Sequence, residues 1–112
     1  MTTAQRTDVT VIRNEDRRRY EAFAGGTALA GFVDYREARE PVVLIHTEVD
    51  PSFQGRGVGS ALARAALDDM RDRGLQALVV CPFMNSWVRR HPEYSDVTFN
   101  APPALVGNDV AT

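Results

Sequence analysis

Gln54-Gly55-Arg56-Gly57-Val58-Gly59-Ser60 is the stretch on which the reading of this chain turns, with three glycines inside five residues. An apolar run, Val42 to Val49, stops just before it, and a helix-like stretch, Val58 to Arg73, starts at its end. Strand, glycine turn and helix in that order make an anion site. The N–H groups of a helix's first turn have no intrahelical partner, and the helix dipole adds partial positive charge. Glycine serves where the backbone must come close to a bulky ligand or take a positive φ. The ligand expected is a phosphate or pyrophosphate; a glycine turn with no ligand is the other reading of the motif taken alone.

Two phosphate-binding patterns do not fit. A P-loop ends in Gly-Lys-Ser/Thr, and this chain contains no lysine. A dinucleotide fingerprint needs G-x-G-x-x-G with an acid about 20 residues on. Here the glycines are Gly55, Gly57 and Gly59, position 60 is Ser, and Val79-Val80-Cys81 stands where the acid should be. What remains is Gln-x-x-Gly-x-Gly, carried by Gln54, Gly57 and Gly59. This resembles the coenzyme A pyrophosphate loop of the GNAT superfamily of N-acetyltransferases.

Upstream of the loop the pattern is one of strands. Val9 to Arg13 reads as the first and Arg18 to Ala24, alternating charged and apolar residues, as the second. Gly25-Gly26 closes a hairpin into the third, Ala28 to Arg36. A period of two places Leu29, Val33 and Tyr35 on one face of it and Ala30, Phe32 and Asp34 on the other. After a charged loop, Glu37 to Glu40, the fourth strand runs from Val42 to Val49. Val42, Leu44, His46 and Glu48 are expected on one face and Val43, Ile45, Thr47 and Val49 on the other. Apolar on both faces at its start, it reads as a central strand.

Downstream, Val58, Leu62, Ala65, Ala66 and Met70 form one apolar helix stripe, and Gly74 is the expected stop. Leu75 to Cys81 is a short strand ended by Pro82 and expected to run parallel to the fourth. Asn85 to Arg90 is a short helix stopped before Pro92. The sequence is thus read as one domain, residues 9–99, between a flexible N-terminus, 1–8, and a flexible tail, 100–112.

The resemblance extends beyond the loop. His46-Thr47-Glu48-Val49, the glycine loop, and Cys81-Pro82-Phe83 with Arg90-His91-Pro92-Glu93-Tyr94 look like the compact single-domain GNAT-like subgroup, over roughly positions 9 to 96. It implies an α/β (α+β) fold: a mixed, mostly antiparallel sheet, a central helix after the fourth strand and a short helix after the fifth. It also implies an acetyl-CoA-dependent N-acetyltransferase acting on a small-molecule or peptide amine. A non-catalytic acyl-CoA-binding or regulatory module is the rival reading, and a structural subunit that lost its ligand a third.

Composition narrows the classes. The chain has 112 residues, 44% hydrophobic and 25% charged, enough for one core. A net charge of −2 speaks against a general nucleic-acid or anionic-membrane binder. All 13 basic residues are arginine and there is one cysteine, which fits a reducing cytoplasm. No run of about 18 apolar residues could span a membrane. A monomer or weak homodimer is expected.

By the resemblance, Gln54, Gly55, Arg56, Gly57, Val58, Gly59 and Ser60 hold the coenzyme A pyrophosphate, mainly through backbone N–H groups, with Arg56 as a possible charged contact. The backbone near Glu48 and Val49 would bond the pantetheine or the thioester carbonyl, stabilising the oxyanion. Acetyl transfer to an amine needs a base. Glu48, with His46 on the same face at a Cβ separation of about 6–7 Å, can supply it, or both can be structural residues of the sheet and turn. Cys81 can take the acetyl group as a nucleophile or be a small buried thiol; His46 and His91 are the candidate partners for it. Asn85 could bond the pantetheine amides and Arg89-Arg90 the adenosine 3′-phosphate. Trp87 reads as core. Tyr94 reads as part of a structural turn or as a proton donor to the leaving thiolate.

Overall fold

The computed structural model describes residues 9–37 and 41–98. The expectations for residues 1–8, for most of the Glu37 to Glu40 loop and for the tail lie outside the described residues. Five strands, β1 (Val9–Asn14), β2 (Arg19–Ala24), β3 (Ala28–Arg36), β4 (Val42–Val49) and β5 (Ala77–Val79), form one sheet in sequence order. The first three pairings are antiparallel and β4–β5 is parallel. The parallel step needs a crossover, supplied by α1 (Val58–Asp72). The shorter α2 (Pro82–Arg89) follows β5. The α/β fold expected from the sequence is the fold found, with β4 central.

The helix α1 buries Val58, Leu62, Ala63, Ala66, Leu67 and Met70 against one face of the sheet; the stripe expected lacked Ala63 and Leu67 and included Ala65, which is only half-buried. It ends at Gly74, whose φ of 71° lets its N–H reach Arg71 O while Leu75 N–H reaches Met70 O at 2.8 Å. Two carbonyls of the last turn are satisfied in this way. Tyr20 on β2 donates to Asp69 on α1 at 2.8 Å, and burial together with that bond pushes its phenol well above its ordinary range. The other face of the sheet carries no described helix. There Glu21, a charged residue of the alternating second strand, is buried, held by Arg19 at 2.7 Å and Asn14 at 3.3 Å. Burial alone would raise its pKa; the guanidinium and amide outweigh it and hold the carboxyl below its usual range.

Two bulges overturn the simple alternation. On β3, Ala22 pairs with Gly31 and Phe23 with Leu29, so Ala30 is the extra residue. On β4, Asp34 pairs with His46 and Tyr35 with Leu44, so Ile45 is extra. An extra residue reverses the faces beyond it. Leu29 therefore leaves Val33 and Tyr35 and joins Phe32 and Asp34 on the open face. Val42 and Leu44 share the helix-side face with Thr47 and Val49, while His46 and Glu48 point to the open face.

The fifth strand is shorter than expected, three residues against Leu75 to Cys81. The second helix starts at Pro82, not Asn85, and ends at Arg89. Pro82 does end the strand, but as the first residue of the helix, where a missing N–H costs nothing.

Candidate functional site

The loop after β4 is built by its own chain. Asp50 accepts from Ser52 N–H at 2.8 Å and opens a 3₁₀ turn, Pro51–Phe53. That bond and the Ser52 hydroxyl hold the Asp50 carboxyl below its ordinary range. Gly55 and Gly57 then take φ of 80° and 81°, the left-handed region that a side chain resists. Gly57 is the N-cap of α1, and the first helical bond is Ala61 N–H to Gly57 O at 2.9 Å. Among the described residues, no protein acceptor takes the N–H of Gly55, Arg56, Gly57, Val58, Gly59 or Ser60. These consecutive donors stand at the positive end of a fifteen-residue helix.

Gly59 is a glycine for another reason. A Cβ built on it would lie 2.6 Å from the Phe83 ring. Phe83, at the start of α2, sets the tip of its ring against Gly59 in the first turn of α1. Trp87, one turn on, donates its indole N–H to Ser60 Oγ at 2.9 Å. The two contacts clamp the short helix to the glycine loop.

β4 and β5 hold together only at Val42, Val43 and Leu44. Beyond this, Val80 N–H and Cys81 N–H both turn to Leu44 O, at 3.0 and 3.2 Å. Asp50 N–H bonds Ala30 O on β3. By strand alternation Thr47 and Val49 aim their backbone groups at the other edge, where β5 has left. A cavity of about 540 Å³ opens there, bounded by Thr47 and Val49, by the loop from Gln54 to Ser60, and by Phe83, Trp87, Arg90 and His91. An unpaired strand edge leading to a row of free N–H donors suits a long ligand with an amide-bearing arm and a phosphate end.

The sequence candidates divide around this cavity. Gln54, Gly55, Gly57, Val58, Gly59, Ser60 and Val49 line it. Arg56 does not; it is exposed, with its guanidinium 5.8 Å from the Phe53 ring centroid. Arg90 supplies the cation instead, its side chain steadied by Ser86 Oγ at 2.7 Å. Arg89 stays outside, and Asn85 donates to Val79 O at 3.4 Å, closing the end of β5. Tyr94 is buried and donates to Asp68 at 2.8 Å, which with burial raises its pKa. Trp87 is core, stacked on His91 at 3.7 Å.

Cys81 is 3% exposed at the head of α2. Its sulfur lies 3.1 Å from Thr47 Oγ1, a partner that sequence reasoning missed because face assignment by simple alternation gave no reason to single it out. Neither histidine reaches it. His91 is bonded to Trp87 O at 2.8 Å, and His46 is on the open face with its Nε2 3.2 Å from Glu48 Oε2. Phe83 and Arg90 were quoted in the sequence motifs, yet only the packing of α2 against α1 reveals what Phe83 does.

Among the described residues no cluster of His, Cys, Asp and Glu could hold a metal ion, and no helix is long and apolar enough to cross a membrane. Residues 19–97 match the family model described as GCN5-related N-acetyl-transferase. The chain is 31% identical over 85 residues to Protein NATD1 of Bos taurus, covering 75% of each. It is 37% identical over 54 residues to Protein NATD1 of Xenopus tropicalis, 48% of this chain and 50% of that protein's length. A GCN5-like protein of Staphylococcus aureus, solved by NMR and described as a candidate N-acetyltransferase, superimposes with a TM-score of 0.64. That alignment covers 83% of this chain and 90% of that one at 20% identity, and so speaks for the fold.

Proposed function

The chain belongs to the GCN5-related N-acetyltransferase family, and from that premise we propose that it binds acetyl-CoA in the cavity beside β4 and transfers the acetyl group to an amine. The observation that carries this reading is the run of unclaimed N–H donors from Gly55 to Ser60, set one strand-edge away from Thr47 and Val49. The donors and Arg90 suit a pyrophosphate; the free edge of β4 suits an amide-bearing arm. When bound, acetyl-CoA would supply an activated acyl group. Val49 N–H would meet the negative charge that develops on the carbonyl oxygen, in a site where Phe83 and Trp87 limit water. Glu48, paired with His46, would take the proton from the incoming ammonium. The buried free thiol of Cys81 fits a reducing compartment such as the cytoplasm.

The test is calorimetric titration with coenzyme A and acetyl-CoA, followed by thiol release in the presence of amines. Saturable binding that is lost in Gly57→Glu, with that variant still folded, is expected. Binding without thiol release across a broad amine panel would instead leave an acyl-CoA-binding module. No binding would overturn the reading.

A further inference from the structure

A second depression, of about 450 Å³, lies on the open face of the sheet between the start of β3 and the end of β4. Leu29, Phe32 and Pro51 give it apolar walls, Val49 borders it at the end of β4, and Glu48 and Asp50 stand at its rim. The bulge at Ala30 puts Leu29 there, and Leu29 is left 41% exposed. Phe32 is fixed from its far side, with the Arg19 guanidinium 4.4 Å from its ring centroid and Arg19 itself held by Glu21. Val49 also borders the larger cavity on the other side of the sheet, where its side chain points, so the two sites meet at the end of β4.

We propose that this depression seats the acetyl acceptor, and that the acceptor is a primary amine on an apolar body, such as an alkyl or aryl-alkyl group. The proposal rests on the acetyl-transfer reading above. The volume is that of a small-molecule site. Apolar walls with carboxylates at the edge complement a cation with a hydrophobic tail. The chain has 13 arginines, yet among the described residues none pairs with Glu48 or Asp50, whereas Glu15, Glu21, Glu37, Asp68, Asp69 and Asp96 each hold one. Asp16, Asp34, Asp72 and Glu93 are likewise without an arginine among the described residues, but only Glu48 and Asp50 stand beside apolar walls. There Glu48 meets His46 and Asp50 the Ser52 N–H, and no guanidinium offsets their charge. Entry from this face also keeps the amine clear of a pantetheine arm lying along the opposite side of β4.

The chemistry balances without a further reactant. The ammonium loses one proton to Glu48, from which it passes to solvent. The freed lone pair on nitrogen forms the C–N bond to the acetyl carbon. The C–S bond breaks with its electron pair going to sulfur, and the second proton from nitrogen ends on the thiolate.

The experiment compares thiol release with hexylamine, 2-phenylethylamine, glycinamide and spermidine, alongside acetyl-CoA titration of the same samples. The apolar amines should be preferred by at least tenfold in kcat/KM over the polar ones. KM should fall about threefold to fourfold per methylene from propylamine to hexylamine. Leu29→Arg, at an exposed position, should raise the KM for the apolar amines at least tenfold and leave acetyl-CoA affinity unchanged. Equal use of spermidine and hexylamine, or an unchanged KM in Leu29→Arg, would overturn the proposal. So would intact acetyl-CoA binding with no apolar amine turned over, which would leave the cofactor reading standing. Loss of acetyl-CoA binding in the parent chain would overturn both.

Discussion

Thr47 Oγ1 and Cys81 Sγ lie 3.1 Å apart, one on β4 and the other just past β5, where the two backbones part. The contact closes the apex of the gap. It also decides how the thiol should behave, because a hydroxyl is not a base and both imidazoles are engaged elsewhere.

Acetyl transfer should accordingly go directly from thioester to amine. Incubation with acetyl-CoA alone should add no hydroxylamine-labile acetyl mass, a clean measurement in a chain without lysine side chains. Cys81→Ala should keep kcat within about threefold and lose about 1–2 kcal/mol of stability, from a small cavity and an orphaned hydroxyl. A thioester adduct, with activity abolished in Cys81→Ala, would instead make Cys81 the nucleophile.

Glu48→Gln tests the base. It should lower kcat by about 10²–10⁴ with coenzyme A affinity retained, and remove the acidic limb of the pH–rate profile. Glu48 faces the open side and pairs with His46 alone among the described residues, so the fold should not suffer. An unaltered rate would make it a residue of the turn only.

The glycines of the loop should separate by mechanism. Gly57→Ala forces a side chain into the left-handed region at φ 81° and should cost about 1–3 kcal/mol of stability. Gly59→Ala has no such strain; it collides with Phe83. Its coenzyme A affinity should fall, and Gly59→Ala with Phe83→Ala should show coupling in a double-mutant cycle. Additive calorimetric losses would count against the clamp.

Glu21 predicts an acid-sensitive fold. Its carboxyl is held below the usual range in the folded state, so the unfolded chain binds the proton first as pH drops. The stability it contributes is present above the ordinary carboxylate pKa and is lost as pH falls through the folded value. Glu21→Gln should cost about 1–3 kcal/mol at pH 7 and flatten the decline between pH 5 and 3, measured by denaturant titration. A decline as steep as in the parent would point to other carboxylates.

The glycine loop, the strand before it and the helix after it were legible because each has a local cause: left-handed turns need glycine, an apolar run needs burial, and Gly74 stops a helix. The faces of β3 and β4 were not. Nothing in Ala30 or Ile45 marks an extra residue; both suit a regular strand, and the bulges arise from pairing with neighbours. That one omission misassigned Leu29 and hid Thr47. Phe83 escaped for a similar reason, since its contact with Gly59 joins residues far apart in sequence. Arg56 and Asn85 had the right chemistry for a ligand but are turned away from the cavity by the local path of the chain.

Ile45 has a mechanical meaning as well. A bulge bends the strand that carries it, and this one sits where the β4–β5 ladder ends with two N–H groups crowded on Leu44 O. It acts as a wedge that keeps a parallel sheet from zipping shut. Deleting Ile45 would leave every later side chain on its present face, because the neighbours of a removed bulge resume normal alternation. The straightened strand should then let β5 pair further along Thr47 and Val49. Such a variant is expected to be more resistant to denaturant than the parent and unable to bind coenzyme A.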